Sequence, residues 1–109
     1  GGIEMIIESN VYGEFEGLED FVERAKSDKN FERALEILIE DVKDYLRDEV
    51  ELKADNIDDL LKELEENEIE LNLFEEQIRW IEKILENAKG YYRVYLDAET
   101  GNFIVEEFC

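Results

Sequence analysis

The chain has 109 residues, of which 32 are acidic and 12 are basic, so its formal net charge is −20. That length suits one domain, and 44% hydrophobic residues can form a real core, which argues against disorder. A surface this negative repels nucleic acid and anionic membranes, so we expect neither to bind directly and expect a basic protein as the partner.

Strands are the first elements that the sequence predicts. Residues 3–8 read IEMIIE, an alternation that predicts a strand with one strongly apolar face. Ser9-Asn10 is interpreted as a turn. The alternation over residues 11–16 then predicts a second short strand, in which Gly13 marks a bulge or a bend.

The start of the chain is unusual for a natural protein. It begins with two glycines, and Met5 is its only methionine. We therefore expect residues 1–4 to be an appended tag and Met5 to be the natural first residue.

Apolar residues at helical spacing predict four helices after these strands. The first three cover residues 18–26, 31–49 and 57–66, and the fourth carries an apolar face from Phe74 to Ala88. The apolar face is widest over residues 31–49, which makes this helix the expected centre of the core.

Two capping boxes are predicted at helix starts. Asn56 and Asp59 open the third helix, with Asp in the place of the usual Glu, and Asn72 and Glu75 open the fourth. Between these helices, the alternation over residues 69–73 predicts a short strand or an extended linker.

The C-terminal part predicts a β-hairpin. Residues 91–96 read YYRVYL, residues 103–108 read FIVEEF, and Asp97 and Gly101 lie in the segment between them at positions that favour a turn. Residues 1–109 are therefore expected to form a single acidic α+β domain. Its antiparallel sheet would have three or four strands, the N-terminal strand plus the C-terminal hairpin, with about four helices packed on it.

The side chains that most catalysis needs are scarce. Histidine is absent, and no hydroxyl or thiol has a basic residue at a spacing that suggests activation. The segment of residues 97–102 lacks the third oxygen ligand and the distal Glu of a calcium loop. We expect no enzymatic activity, no cofactor and no metal site.

The single cysteine and the aromatic residues indicate the location of the protein and the role of its rings. Cys109 is the only cysteine, so an internal disulfide cannot form, and we expect a reducing, cytoplasmic location. The aromatic residues Trp80, Tyr91, Tyr92 and Tyr95 are interpreted as core and sheet packing, with a contact surface as the alternative.

Residues 48–70, here called the acidic stretch, are the main functional candidate. Four apolar residues in it share one helix face, at i, i+3, i+4 and i+7: Ile57, Leu60, Leu61 and Leu64. Burying that face leaves the carboxylates outside. The candidate partner-binding residues are Asp48, Glu49, Glu51, Asp55, Asp58, Asp59, Glu63, Glu65, Glu66, Glu68 and Glu70.

Carboxylates four apart on a helix lie about 6 Å apart along its axis, which is comparable to the spacing of phosphates along a DNA strand. In size and charge, the chain resembles the small acidic inhibitors that phages use against restriction or CRISPR nucleases. This resemblance implies a non-enzymatic inhibitor that blocks a basic nucleic-acid-binding protein by mimicking nucleic acid. The alternatives are an immunity protein or antitoxin that neutralises a toxic nuclease, and an interaction module whose charge only aids solubility.

Overall fold

The computed structural model describes residues 9–108, in which three antiparallel strands form one sheet in the order β1-β3-β2. The elements in chain order are β1 (Ser9–Phe15), α1 (Leu18–Ala25), a first 3₁₀ helix (Lys29–Phe31), α2 (Glu32–Leu46), α3 (Ile57–Glu66), a second 3₁₀ helix (Leu71–Leu73), α4 (Gln77–Asn87), β2 (Tyr91–Leu96) and β3 (Phe103–Phe108). The predicted α+β class is confirmed, with an N-terminal strand and a C-terminal hairpin in one sheet.

The hairpin lies where the sequence predicts it. Asp97 donates its backbone N–H to the carbonyl of Asn102 at 2.8 Å, and Gly101 has a φ of 76°, a conformation that glycine adopts without a steric penalty. Because β3 pairs with β2 on one side and with β1 on the other, it is the central strand.

A bulge interrupts β1 where the sequence predicts it. Val11 pairs with Glu106 and Gly13 pairs with Val105, so Tyr12 is the extra residue. A Cβ atom on Gly13 would lie 2.5 Å from Cζ of Phe15. Gly13 therefore leaves room for the Phe15 ring against the strand.

The predicted turn at Ser9-Asn10 is wrong. Both residues belong to β1, where they pair with Phe108 and Glu107. Ser and Asn favour turns locally, but β3 offers them a strand partner that is distant in the sequence. The strand predicted over residues 3–8, the expected start at Met5 and the terminal cysteine lie outside the described residues.

The core joins the sheet to the helices through aromatic rings. We call Tyr12, Phe15, Phe21, Phe31 and Tyr92 the aromatic core cluster. Phe31 is fully buried in it, with its ring centroid 4.9 Å from that of Tyr92 and 5.6 Å from that of Phe21. Within residues 9–108, no polar or charged side chain is buried. The carboxylates of the described elements therefore lie outside the core.

The helix predictions are confirmed for α1 and α3. The helix predicted over residues 31–49 is shorter, because Phe31 ends the first 3₁₀ helix and α2 runs only from Glu32 to Leu46. On its apolar face Phe31, Leu35, Leu38, Val42 and Leu46 are buried, whereas Tyr45 is 53% exposed. Tyr45 instead packs its ring against Trp80, at a centroid distance of 5.3 Å.

The predictions for residues 69–75 are wrong. Leu71–Leu73 forms a 3₁₀ helix rather than a strand or an extended linker, and α4 begins at Gln77 rather than after a capping box at Asn72 and Glu75. The Asn72 side chain caps a different helix, because its Oδ1 accepts the backbone N–H of Glu19 at 3.0 Å. That partner is 53 residues away, so local spacing could not reveal it.

The first turn of α1 is capped by residues from other elements. Leu18 donates its backbone N–H to Oε1 of Gln77 at 3.1 Å, and Glu19 donates to Asn72. In return, Oε1 of Glu19 accepts the backbone N–H of Leu71 at 2.9 Å. These bonds satisfy amide groups that a helix start leaves unpaired, and they hold α1 against the second 3₁₀ helix and α4.

Replacing the residue at the N-cap of α1 tests this arrangement. In Gly17→Ala, the new Cβ would lie 2.3 Å from Oδ1 of Asn72 and 2.8 Å from Oε1 of Gln77, so both caps would have to move. We expect the free energy of unfolding in urea to fall by about 1–3 kcal/mol. If the loss acts through Asn72, Gly17→Ala should cost much less in an Asn72→Ala background. Fully additive losses would contradict this account.

The environment of the Tyr12 hydroxyl predicts that the folded chain loses stability at alkaline pH. Burial, followed by the nearby Asp28 carboxylate, raises the pKa of Tyr12 well above its ordinary value of 10.0. The folded chain therefore holds the phenol proton more tightly than the unfolded chain. Its contribution to stability is complete below pH 10 and is lost as the pH rises towards the folded-state pKa. We expect a shallower decline above pH 10 in Tyr12→Phe, measured by urea unfolding; parallel curves would contradict this role.

Candidate partner-binding surface

The acidic stretch has three structural parts. Residues 48–49 lie in the turn after α2, residues 50–56 form an irregular segment, and the remainder comprises α3 and its exit towards the second 3₁₀ helix. Ten of its eleven carboxylate residues are exposed, and Glu63 is half-buried. The structure thus places the predicted site residues at the surface but not on a single helix.

The irregular segment alternates between core and solvent. Leu52 and Ala54 are buried. Glu51 and Asp55 are exposed on the other side of the chain. Lys43 donates from Nζ to the carbonyl of Ala54 at 2.9 Å, which fixes the segment against α2. The segment therefore presents carboxylates from an anchored backbone.

Helix α3 orients its carboxylates by burying the predicted apolar face. Leu60 and Leu64 are buried, and Ile57 and Leu61 pack against the core. Asn56 caps the helix as predicted, because its Oδ1 accepts the backbone N–H of Asp59 at 2.9 Å. The reciprocal bond differs from a capping box, since the Asp59 carboxylate accepts from the Asn56 side chain at 2.9 Å.

Three of the eleven carboxylates have structural partners. Asp59 belongs to the cap, Asp58 pairs with Nζ of Lys26 at 2.9 Å, and Oε2 of Glu63 accepts the backbone N–H of Lys53 at 2.8 Å. The hydrogen bonds that Lys26 donates to Asp58 and Glu23 raise the pKa of its ammonium group. These contacts hold the stretch in place.

The other eight side chains form no hydrogen bond or ion pair with another residue of the described part. They are Asp48, Glu49, Glu51, Asp55, Glu65, Glu66, Glu68 and Glu70. We call them the free carboxylates. Because no side chain of the described part pairs with them, their charge remains available to a partner.

Glu68 has a strained backbone. Its φ is 58°, the left-handed region that favours glycine. Here α3 ends in a Schellman motif, in which Ile69 donates its N–H to the carbonyl of Leu64 at 2.8 Å and Glu68 donates to Glu65 at 3.1 Å. A residue other than glycine costs about 1–2 kcal/mol in this conformation. A carboxylate thus occupies the position at which glycine would be most stable.

A groove joins the acidic stretch to α1. It has a volume of about 440 Å³, and Leu61 and Ile69 are its apolar lining. We call it the acidic groove, and its carboxylates are Glu16, Glu19, Asp20, Glu23, Glu65 and Glu70. The sequence reasoning missed the first four. The acidic outer face of α1 was a visible signal, but its position beside α3 depends on contacts that are distant in the sequence.

The four aromatic residues singled out in the sequence do not form one cluster. Trp80 packs against Phe74, with ring centroids 5.2 Å apart, and Tyr92 belongs to the aromatic core cluster. Tyr91 and Tyr95 are 77% and 40% exposed on the outer face of the sheet. Packing therefore accounts for Trp80 and Tyr92, whereas the other two rings face outwards.

Two further observations concern metal binding and membrane crossing. Across residues 9–108, no group of three or more metal-ligating side chains is arranged to hold a metal ion. In the same part of the chain, no helix is both long enough and apolar enough to cross a membrane. The acidic surface remains the most distinctive chemical feature described.

Comparison with known proteins provides no relative from which a role could be transferred. No protein-family model matches the chain, and neither the curated proteins nor the solved structures give a significant match. The function is therefore inferred from the geometry and charge of the surface.

Glu68 provides a test of the strained helix end. We expect Glu68→Gly to raise the free energy of unfolding by about 1 kcal/mol, because glycine removes the steric penalty at a φ of 58°. Glu68→Ala is the matched control, since it removes the same charge but keeps a Cβ atom. Equal gains in the two variants, measured in urea, would assign the effect to charge rather than to strain.

Proposed function

We propose that this chain is a non-enzymatic inhibitor that binds a basic nucleic-acid-binding protein, such as a CRISPR or restriction nuclease, and occupies its nucleic-acid site. The supporting observation is the set of eight free carboxylates on a backbone whose apolar side chains are anchored in the core. A partner would meet these charges without first breaking ion pairs within the described part of the inhibitor.

The spacing of the carboxylates suits a channel that binds a phosphate backbone. Along α3, residues four apart are separated by about 6 Å, and in an extended segment residues two apart are separated by about 6.6 Å. Within α3, Asp59 and Glu63 have the four-residue spacing, and before it Glu51 and Asp55 lie on the same, exposed side of the irregular segment. Basic side chains that bind phosphates along one strand can therefore meet carboxylates along this stretch.

The backbone beneath these charges is held in place. Lys43 bonds to the carbonyl of Ala54, and Glu63 bonds to the N–H of Lys53, each across at least ten residues. A surface that is already ordered loses little conformational entropy on binding. An ordered surface of this kind resembles a nucleic-acid duplex in its stiffness as well as in its charge.

Long-range electrostatics should speed the encounter with a basic partner. A net charge of −20 produces a negative field that attracts positively charged clefts and raises association rates. Binding should weaken steeply as salt increases, because ions screen the attraction and compete at the basic site.

The strain at Glu68 also supports the proposal. A strained residue at an exposed helix end contributes no stability, and such outliers are concentrated at functional sites. Glu68 lies between Glu66 and Glu70, two other free carboxylates. Retaining a carboxylate here keeps the row of charges continuous past the end of α3.

Charge reversal tests whether the free carboxylates bind the partner. Purified chain is added to a panel of CRISPR effector and restriction nucleases, and DNA cleavage and binding affinity are measured at low and high salt. We expect inhibition of at least one nuclease and competition by DNA for the same site. The triple variant Glu65→Lys, Glu66→Lys and Glu70→Lys should weaken binding by at least tenfold, about 1.4 kcal/mol or more. Asp58 stays unchanged because it pairs with Lys26.

The matched control carries the same charge change elsewhere, at Glu32, Glu75 and Glu99, which are also exposed. It should bind more tightly than the first variant, because it keeps the carboxylates that contact the partner. Equal affinities for the parent and both variants would contradict a role for the acidic stretch. Inhibition that DNA does not compete with would contradict mimicry of nucleic acid.

A further inference from the structure

A second groove runs between α4 and the open edge of β2. Its volume is about 440 Å³, and Glu82, Leu85 and Glu86 line it from α4 while Tyr92 and Val94 line it from β2. We call it the edge groove. It contains no residue of the acidic stretch, so an interaction here is separate from the one proposed above.

The backbone of β2 points hydrogen-bonding groups into this groove. Within the described sheet, β2 has a strand neighbour on one side only, since the order is β1-β3-β2. The N–H of Asp97 bonds to Asn102 on the β3 side. Bonds to β3 alternate along an antiparallel strand, so those of Tyr95 and Arg93 also face β3. The N–H and C=O groups of Tyr92 and Val94 therefore face the open edge.

These edge groups have no partner in the described part of the chain. Outside the pairing of β2 with β3, no backbone or side-chain hydrogen bond joins the N–H or C=O of Tyr92 or Val94 to the rest of the described chain. The Tyr92 side chain points the other way, where its hydroxyl accepts a hydrogen bond from Asn30 at 3.1 Å. The edge can thus accept another strand without disturbing the core.

The wall opposite the strand edge is acidic. Glu82 and Glu86 lie one turn apart on α4, both exposed and without an ion pair in the described part. Leu85 is buried close to them. Arg93 does not neutralise this wall, because its Nε donates to Oε2 of Glu106 at 2.8 Å and its guanidinium lies over the ring of Phe108.

We propose that the edge groove binds an extended, basic segment of a partner protein, which adds to β2 as a strand. Residues two apart in an extended chain are separated by about 6.6 Å, so the segment's backbone can pair with Tyr92 and Val94 in register. Its Lys or Arg side chains then meet Glu82 and Glu86. A second copy of this chain would bring two charges of −20 together, which disfavours it as the occupant.

A synthetic peptide provides the test. The probe is a capped octapeptide of alternating Lys and Val, titrated into isotopically labelled full-length chain and followed by amide NMR shifts and hydrogen exchange. We expect shifts confined to β2 and α4, with slower exchange at Tyr92 and Val94. A peptide with N-methyl groups on the amides that face β2 should lose binding at least tenfold, because it cannot donate those bonds.

Protein variants test the acidic wall separately. Glu82→Gln with Glu86→Gln should weaken binding of the Lys-Val peptide by about tenfold. Glu65→Gln with Glu66→Gln removes the same charge from the acidic stretch and should leave peptide affinity within about twofold.

Four outcomes would overturn the proposal. They are no peptide binding at millimolar concentration, equal binding of the N-methylated peptide, shifts centred on residues 48–70, and a dimer in sedimentation that buries β2. Failure of nuclease inhibition would not affect this result, because the peptide titration uses neither a nuclease nor the acidic stretch.

Discussion

The contacts of the Phe31 ring are the constraint on which much of the architecture depends. Phe31 lies at the start of the longest helix and packs against Tyr12 from β1, Phe21 from α1 and Tyr92 from β2. The bulge in β1 allows Tyr12 to reach this position, and the hairpin brings Tyr92 to it. Rings at angles to one another gain favourable edge-to-face contacts in addition to burial. One apolar site thereby joins the helices to both edges of the sheet.

In this arrangement, the charged side chains lie at the surface and the apolar side chains form the core. Because no charged side chain is buried within residues 9–108, the elements that bury apolar faces carry their carboxylates outside. A few of those carboxylates are used to build the fold, as Glu19 does for the second 3₁₀ helix and Glu63 does for the irregular segment. The acidic surface is thus partly structural, and a partner would be expected to use the carboxylates that remain free.

Local patterns predicted the elements whose determinants are close in the sequence. The bounds of α3 and of both hairpin strands follow from periodicity, from Asn56 as a cap and from the turn segment between the strands. The α+β class follows from the same patterns. The errors occur where a distant partner decides the outcome. Asn72 caps α1 rather than α4, and Ser9 pairs with Phe108 rather than turning.

The candidate site likewise combines features that nearby residues determine with features that distant contacts determine. Exposure of the acidic stretch follows from the buried face of α3, which the sequence reveals. The acidic groove and the edge groove required knowledge of which elements lie side by side. Likewise, no local signal separates Asp58, which is paired with Lys26, from Glu65, which is free. Charge can be counted from a sequence, but the pairing of charges is a property of the fold.

The position of β3 has a consequence for synthesis of the chain on the ribosome. Of the three described strands, the central one is made last, and its Phe108 pairs with Ser9 at the other end of the described residues. Until β3 emerges, β1 has no partner in the sheet, and pairing then requires closure of a loop through most of the chain. Such non-local pairing slows folding relative to a helical bundle of similar size. The helices can assemble first, so the three described strands are expected to form their sheet only after β3 has emerged.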